Sequence, residues 1–267
     1  MSTDVKVAIL RTAGTNCDQE TKFAFEDLGA RADLVHIKQL ILNKYNLEDY
    51  HILAIPGGFS YGDDIASGKI LANELRLSLS DAIKRFVEQG KLIIGICNGF
   101  QILAKSGILP GWDFNPHHFS QDITLTTNDS CKFEDRWIHL EHAPNSSCVW
   151  TRGIVQPIFL PVAHGEGKFV PRDQDVLNKL KSKNQVVFRY CSPSGLPTRY
   201  PENPNGSSED IAGICDETGR VFGLMPHPER HFLLTQHPFW TRLKKKDRYG
   251  DGAKIFRNGI NYIRKNL

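Results

Sequence analysis

The sequence predicts an α/β protein with an open, mostly parallel β-sheet, helices on both faces and some added antiparallel strands. Three observations carry that expectation. Short apolar runs alternate with amphipathic stretches through the first 106 residues, the pattern of a parallel sheet crossed by helices. Three apolar runs end abruptly in Gly- or Pro-containing loops, at residues 55–59, 94–99 and 225–229. The middle of the chain then changes to alternating, β-rich runs.

In chain order, Val5 to Leu10 is the first buried strand. A helix near 18–29 and a strand near 32–37 follow. Tyr50 to Ile55 is the next strand, and it runs straight into Pro56-Gly57-Gly58-Phe59. A helix starts after this glycine-rich loop. Asp81 to Glu88 is amphipathic and closes on Gly90, a C-cap signal. A strand at 91–96 and a helix at 99–106 come next. Within residues 112–170, Ile123 to Thr127 and Ile154 to Leu160 are expected as added, partly antiparallel strands. Residues 192–210 are rich in Pro, Ser, Gly and Asn and form a long loop, of a kind that is often functional. Val221 to Met225 is a further buried strand. With no internal repeat and no convincing linker, residues 1–267 are expected to form a single domain.

Forty per cent hydrophobic residues are enough for a sizeable core in a chain of 267. The formal net charge of +3 is small and implies no nucleic-acid partner. The basic run LKKKDR at 243–248 is expected as a solvated helix face or loop. No apolar stretch reaches the length of a membrane span, and the start MSTDVKVAIL lacks the pattern of a signal peptide. A cytoplasmic chain with reduced thiols is therefore expected. None of the six cysteines forms a Cys-x-x-Cys pair or a zinc spacing, so no metal is expected. Cys17 has no base nearby in the sequence and is expected to be structural.

The chemistry concentrates at three strand ends. GICNGFQ at 95–101 sits between an apolar strand and an apolar helix face, the cysteine form of a nucleophile elbow. Free cysteine is commonly a buried small hydrophobe. Here the flanking Gly95 and Gly99 favour a reactive Cys97, because they let strand and helix pass closely. The helix N-terminus then presents its free N–H groups to the sulfur, which favours thiolate. A nucleophile needs a base, and MPHPER at 225–230 offers one. Two prolines hold that stretch extended, so His227 and Glu229 share one side as base and orienting carboxylate. After the third strand, Gly57 or Gly58, with the N–H of Asn98, would hold a developing oxyanion.

GICNGFQ, MPHPER and IPGGFSYGDD together resemble the class I, triad-type glutamine amidotransferases. More closely, the chain resembles the glutaminase subunits of phosphoribosylformylglycinamidine synthase. AGTNCD at 13–18, PVAHGEGKF at 161–169, NPNGS at 203–207 and IAGI at 211–214 fit the same family, so the likeness spans nearly the whole chain. The resemblance implies a flavodoxin-like sheet with Cys97 as nucleophile, His227 as base and Glu229 as its orienter. Gln101 would lie near bound glutamine. His164 would lie there too, or else at a structural or subunit contact. The resemblance implies no cofactor in this chain. ATP and magnesium belong to a large PurL-type synthetase subunit that receives the ammonia, with a small PurS-type subunit as a further partner. Segment 112–150 and the tail after Arg230 depart from the family pattern, which bears on the partner interface. The alternatives are a glutaminase subunit for another amidotransferase, a cysteine hydrolase of the α/β-hydrolase type and a non-enzymatic binding protein. Against the hydrolase, the acid here follows the histidine by two residues instead of preceding it.

Overall fold

The computed structural model describes residues 4–112, 120–194, 196, 198–244 and 247–267. Its first half is the expected alternation. Strand β1 (Lys6–Arg11), helix α1 (Asp18–Asp27), strand β2 (Arg31–His36) and short helix α2 (Ile37–Ile41) lead to β3 (Ile52–Ile55). Helices α3 (Lys69–Ser78) and α4 (Ser80–Glu88) precede β4 (Leu92–Ile96) and α5 (Asn98–Lys105). Every residue of β3 and β4 is buried, as a strand covered on both faces requires. Gly90 ends the α4 segment at φ +82°, a left-handed conformation that glycine adopts without strain.

The second half adds β5 (Ile123–Thr126), β6 (Glu134–His142), β7 (Ile158–His164), β8 (Lys168–Pro171), α6 (Gln174–Ser182) and β9 (Val186–Cys191). Strands β10 (Ile211–Cys215) and β11 (Val221–Leu224) and the C-terminal helix α7 (Ala253–Asn266) complete the chain. Among the described residues the main sheet has nine strands in the order β2-β1-β3-β4-β11-β10-β9-β6-β7. The first five run parallel in the flavodoxin-like order, and the last four extend the sheet by antiparallel pairing. Strands β5 and β8 form a separate antiparallel pair. The β-rich middle is thus real, although the strand expected at 154–160 starts only at Ile158 and runs to His164.

The tail is not a peripheral appendage. Helix α7 buries Ile255, Phe256, Ile260 and Ile263, and Phe256 packs edge-on against Phe25 of α1 at 5.0 Å between ring centroids. Trp150, fully buried, lies against α7 and donates its indole N–H to the Arg220 carbonyl at 3.0 Å. Part of the divergent segment and part of the tail therefore pack on one another, and one apolar cluster runs from Val5 to Ile263. The long loop at 192–210 is held by Asn203 and Asn205. Asn205 donates to the Gly167 carbonyl and the Tyr190 hydroxyl, at 2.9 and 3.0 Å. Lys245 and Lys246 of the basic run lie outside the described residues, and Arg248 within it pairs with Asp27. Among the described residues no helix is long and apolar enough to cross a membrane.

Candidate active site

Three neighbouring parallel strands, β3, β4 and β11, deliver their C-terminal ends to one place. The pairing runs up to the nucleophile itself, since the Cys97 N–H donates to the Leu224 carbonyl of β11 at 2.7 Å. Cys97 then turns sharply at φ +52° and ψ −106°, a strained backbone for a side-chain-bearing residue. Two bonds hold it there: the N–H groups of Phe100 and Gln101 donate to its carbonyl at 2.9 and 3.1 Å. The turn also needs Gly99, because a Cβ there would sit 1.9 Å from the Ile55 carbonyl oxygen. Cys97 thus caps α5 as the elbow reading requires.

Past the end of β11 stands His227. Its N–H donates to the Pro161 carbonyl of β7 at 2.8 Å, and its Nδ1 lies 2.6 Å from Glu229 Oε1. Both residues are buried. The expected extended Pro-His-Pro-Glu stretch is corrected here, because Pro228–His231 form a short 3-10 turn. Pro228 has the fixed φ that suits the first position of a helical turn, and the Arg230 N–H donates back to the His227 carbonyl at 3.2 Å. The turn, not an extended chain, brings the carboxylate to the imidazole. Burial alone would push His227 toward the neutral form. The fields of Glu229 and Cys97 outweigh it and raise its pKa well above the usual histidine value.

The glycine loop after β3 is clamped by the AGTNCD stretch. The Gly57 carbonyl accepts from the N–H groups of Asn16 and Cys17, and the Phe59 N–H donates to the Gly14 carbonyl at 2.9 Å. Among the described residues, the N–H groups of Gly57, Gly58 and Asn98 donate to no protein acceptor. They remain available to an anion. A Cβ on Gly57 would stand 2.7 Å from His227 Cε1 and 3.4 Å from Cys97 Cβ, so this glycine lies against both side chains.

Gln101 and His164 are both engaged within the fold. Gln101 accepts from Asn98 Nδ2 at 2.9 Å and donates to the Glu166 carbonyl. His164 ends β7, almost wholly buried, with Nδ1 3.1 Å from Asn128 Oδ1. That oxygen already accepts the Gly167 N–H, so His164 Nδ1 carries the proton and Nε2 is an acceptor. Burial, with a smaller push from His227, lowers the His164 pKa to about 3.

Two neighbours were not expected. Lys105 is buried, donating to the Ser67 carbonyl at 2.6 Å and lying 3.4 Å from Glu166 Oε2. It ties the loop beyond the glycines to the loop after His164. The signal for it was its spacing: Asn98, Gln101 and Lys105 recur on one face of α5. Cys17, expected to be structural with no base near it in the sequence, does have a base near it in the fold, brought from the other end of the chain. Its Sγ lies 4.0 Å from His227 Nδ1 and accepts from Arg230 Nη2 at 3.2 Å. Burial pushes this thiol up to about 11, so it is protonated near neutrality. The metal-capable donors here are Cys17, His227 and Glu229, with one ligand atom each lying within 4.8 Å of the others.

Comparison with known proteins adds four likenesses to this geometry. Residues 4–263 match the family model for the CobB/CobQ-like glutamine amidotransferase domain. The chain is 51% identical over 260 residues to phosphoribosylformylglycinamidine synthase subunit PurQ of Dehalococcoides mccartyi, covering 97% of this chain and 98% of that one. It is 43% identical to the PurQ subunit of Methanococcus maripaludis, again over 97% of this chain and 98% of that one. A chain in the structure of PurLQS from Thermotoga maritima superposes with a TM-score of 0.73 at 32% identity, covering 97% of this chain and 99% of that chain.

Proposed function

From the premise that this chain belongs to the CobB/CobQ-like glutamine amidotransferases and, within them, to the PurQ subunits, we propose the following reaction and assembly. The chain is the glutaminase subunit of phosphoribosylformylglycinamidine synthase. It hydrolyses glutamine and passes ammonia to an ATP-dependent synthetase, which converts formylglycinamide ribonucleotide to formylglycinamidine ribonucleotide in purine biosynthesis. The observation that carries the catalytic reading is the meeting of a strained Cys97 with the buried His227–Glu229 pair at the ends of adjacent strands.

In the reaction, the Cys97 thiolate, its proton already held by His227, attacks the side-chain amide carbon of glutamine. Glu229 engages Nδ1 and leaves Nε2 for proton transfer. The N–H groups of Gly57 or Gly58 and of Asn98 hold the tetrahedral oxyanion, an interaction worth about 100- to 1000-fold in rate per donor. His227 returns the proton to the departing ammonia and a thioester remains on Cys97. His227 then takes a proton from water, which attacks the thioester and releases glutamate. Gln101 and His164 lie on the glutamine side of this site.

A PurL-type synthetase, with a PurS-type small subunit, is the partner, and ATP and magnesium act there. This chain folds as a single domain, and the complex works in the cytoplasm. The test is Cys97→Ala in the assembled complex. Glutamine-dependent synthesis should vanish, while synthesis from ammonium salts should persist. Normal glutamine use by that variant would overturn the assignment.

A further inference from the structure

We propose that Cys17, His227 and Glu229 form an inhibitory binding site for a thiophilic divalent cation of the Zn²⁺ type. Cys17 comes from near the start of the chain and His227 and Glu229 from one turn near its other end, so the set assembles only in the fold. Their S, N and O atoms lie within 4.8 Å of one another, and all three residues are buried. A sulfur–imidazole–carboxylate set suits zinc and disfavours magnesium or calcium, which demand oxygen.

A second observation points to a ligand. Glu229 Oε2 is buried and accepts no hydrogen bond among the described residues. A buried carboxylate oxygen without a donor is costly, and a cation would satisfy it.

The distances are close to what coordination requires. With zinc bonds of about 2.3 Å to sulfur and 2.0–2.2 Å to nitrogen and oxygen, tetrahedral ligand atoms stand roughly 3.3–3.6 Å apart. The Cys17 Sγ to His227 Nδ1 distance is 4.0 Å, and Nδ1 to Glu229 Oε1 is 2.6 Å. Sub-ångström shifts of both end groups would admit the ion. Arg230 must withdraw its Nη2 from Cys17, and its partner Glu20, 3.3 Å from Nε, offers an anchor toward solvent.

The proton balance explains the inhibition. Cys17 releases its thiol proton to solvent when the metal–sulfur bond forms. The Nδ1 proton that faces Glu229 also leaves to solvent as the metal takes the Nδ1 lone pair, so the now neutral His227 keeps its one remaining proton on Nε2. That nitrogen can no longer accept a proton from Cys97. The binding claim stands on geometry alone, and only the inhibition rests on the glutaminase reading.

The test separates the two. The full chain with Cys97→Ala, which removes the nucleophile as an alternative ligand, is titrated with Co²⁺ and then Zn²⁺. One ion should bind with a thiolate-to-cobalt charge-transfer band. Adding Cys17→Ala, or Cys17→Ser if the alanine variant does not fold, should remove the band and weaken binding by at least about 100-fold, since losing even an outer-shell partner costs up to that much. Equal binding with and without Cys17, or no ion bound at all, overturns the proposal. In the assembled complex, Zn²⁺ should suppress glutamine hydrolysis reversibly with a chelator. The Cys17 variant, compared with its own metal-free rate, should be far less sensitive. Equal sensitivity would put the ion on Cys97 and His227 and overturn the site.

Discussion

At the scale of single residues, the site is a set of close approaches that tolerate little added volume. Gly57→Ala places a methyl carbon 2.7 Å from a His227 ring atom. That ring must move, so turnover should fall by about tenfold or more, with each tenfold equal to about 1.4 kcal/mol. The unfolding midpoint should change much less, which a rate assay paired with a denaturation curve would check. Gly99→Ala meets backbone instead, 1.9 Å from the Ile55 carbonyl oxygen. It should cost about 2 kcal/mol or more of stability, as overpacking a fixed site does, and its denaturation midpoint should drop accordingly. The elbow was legible in the sequence because strand, turn and helix are consecutive. The pairing of His227 with Glu229 was legible for the same reason, though its local turn was not. The neighbours of Cys17 were not legible, because His227 and Arg230 lie at the other end of the chain.

At the scale of elements, α5 links the loops on either side of the nucleophile. Asn98 holds Ser60 and reaches Asp63, Gln101 holds the Glu166 carbonyl, and Lys105 joins Ser67 to Glu166. Lys105→Met removes a charged donor from a buried position. It should destabilise the chain by about 2 kcal/mol and raise KM for glutamine more than it lowers kcat. A kcat loss with unchanged KM would argue against the linking role. The parallel half was readable because its strands are continuous apolar runs such as ILAI and LIIGI. Strand β6, with the sequence EDRWIHLEH, carries charges along its partly exposed length and gives no such run. Helix α7 escaped notice because Arg, Asn and Lys interrupt its apolar positions, although its buried residues do share one face.

At the scale of the whole molecule, His164 makes stability depend on pH. Its pKa falls to about 3 in the fold, against about 6.5 in an unfolded chain. Between those values the unfolded state binds the extra proton, so stability is lost as pH falls below 6.5. From pH 6.5 to pH 5 the loss from this one group should be about 2 kcal/mol. Urea unfolding at both pH values should show that loss in the wild type, reduced in His164→Gln. An identical pH dependence in both would refute the role. The architecture as a whole was legible as a parallel sheet with antiparallel additions. The order in which β9, β6 and β7 extend it was not, because nothing local encodes which distant strands will pair.

The sheet order also has a consequence for biosynthesis. Strand β11 lies beside β4, yet Val221 is made long after Ile96. A growing chain on the ribosome therefore carries its nucleophile well before its base. Until β11 inserts, β4 has a bare edge on that side, an invitation to wrong pairing with other chains. Late closure thus keeps the nascent protein from consuming glutamine. It also makes the interval between the synthesis of β4 and that of β11 the one in which chaperones matter most. A truncated chain ending before residue 221 should hydrolyse no glutamine and should aggregate, which sedimentation of the in vitro translation product would reveal.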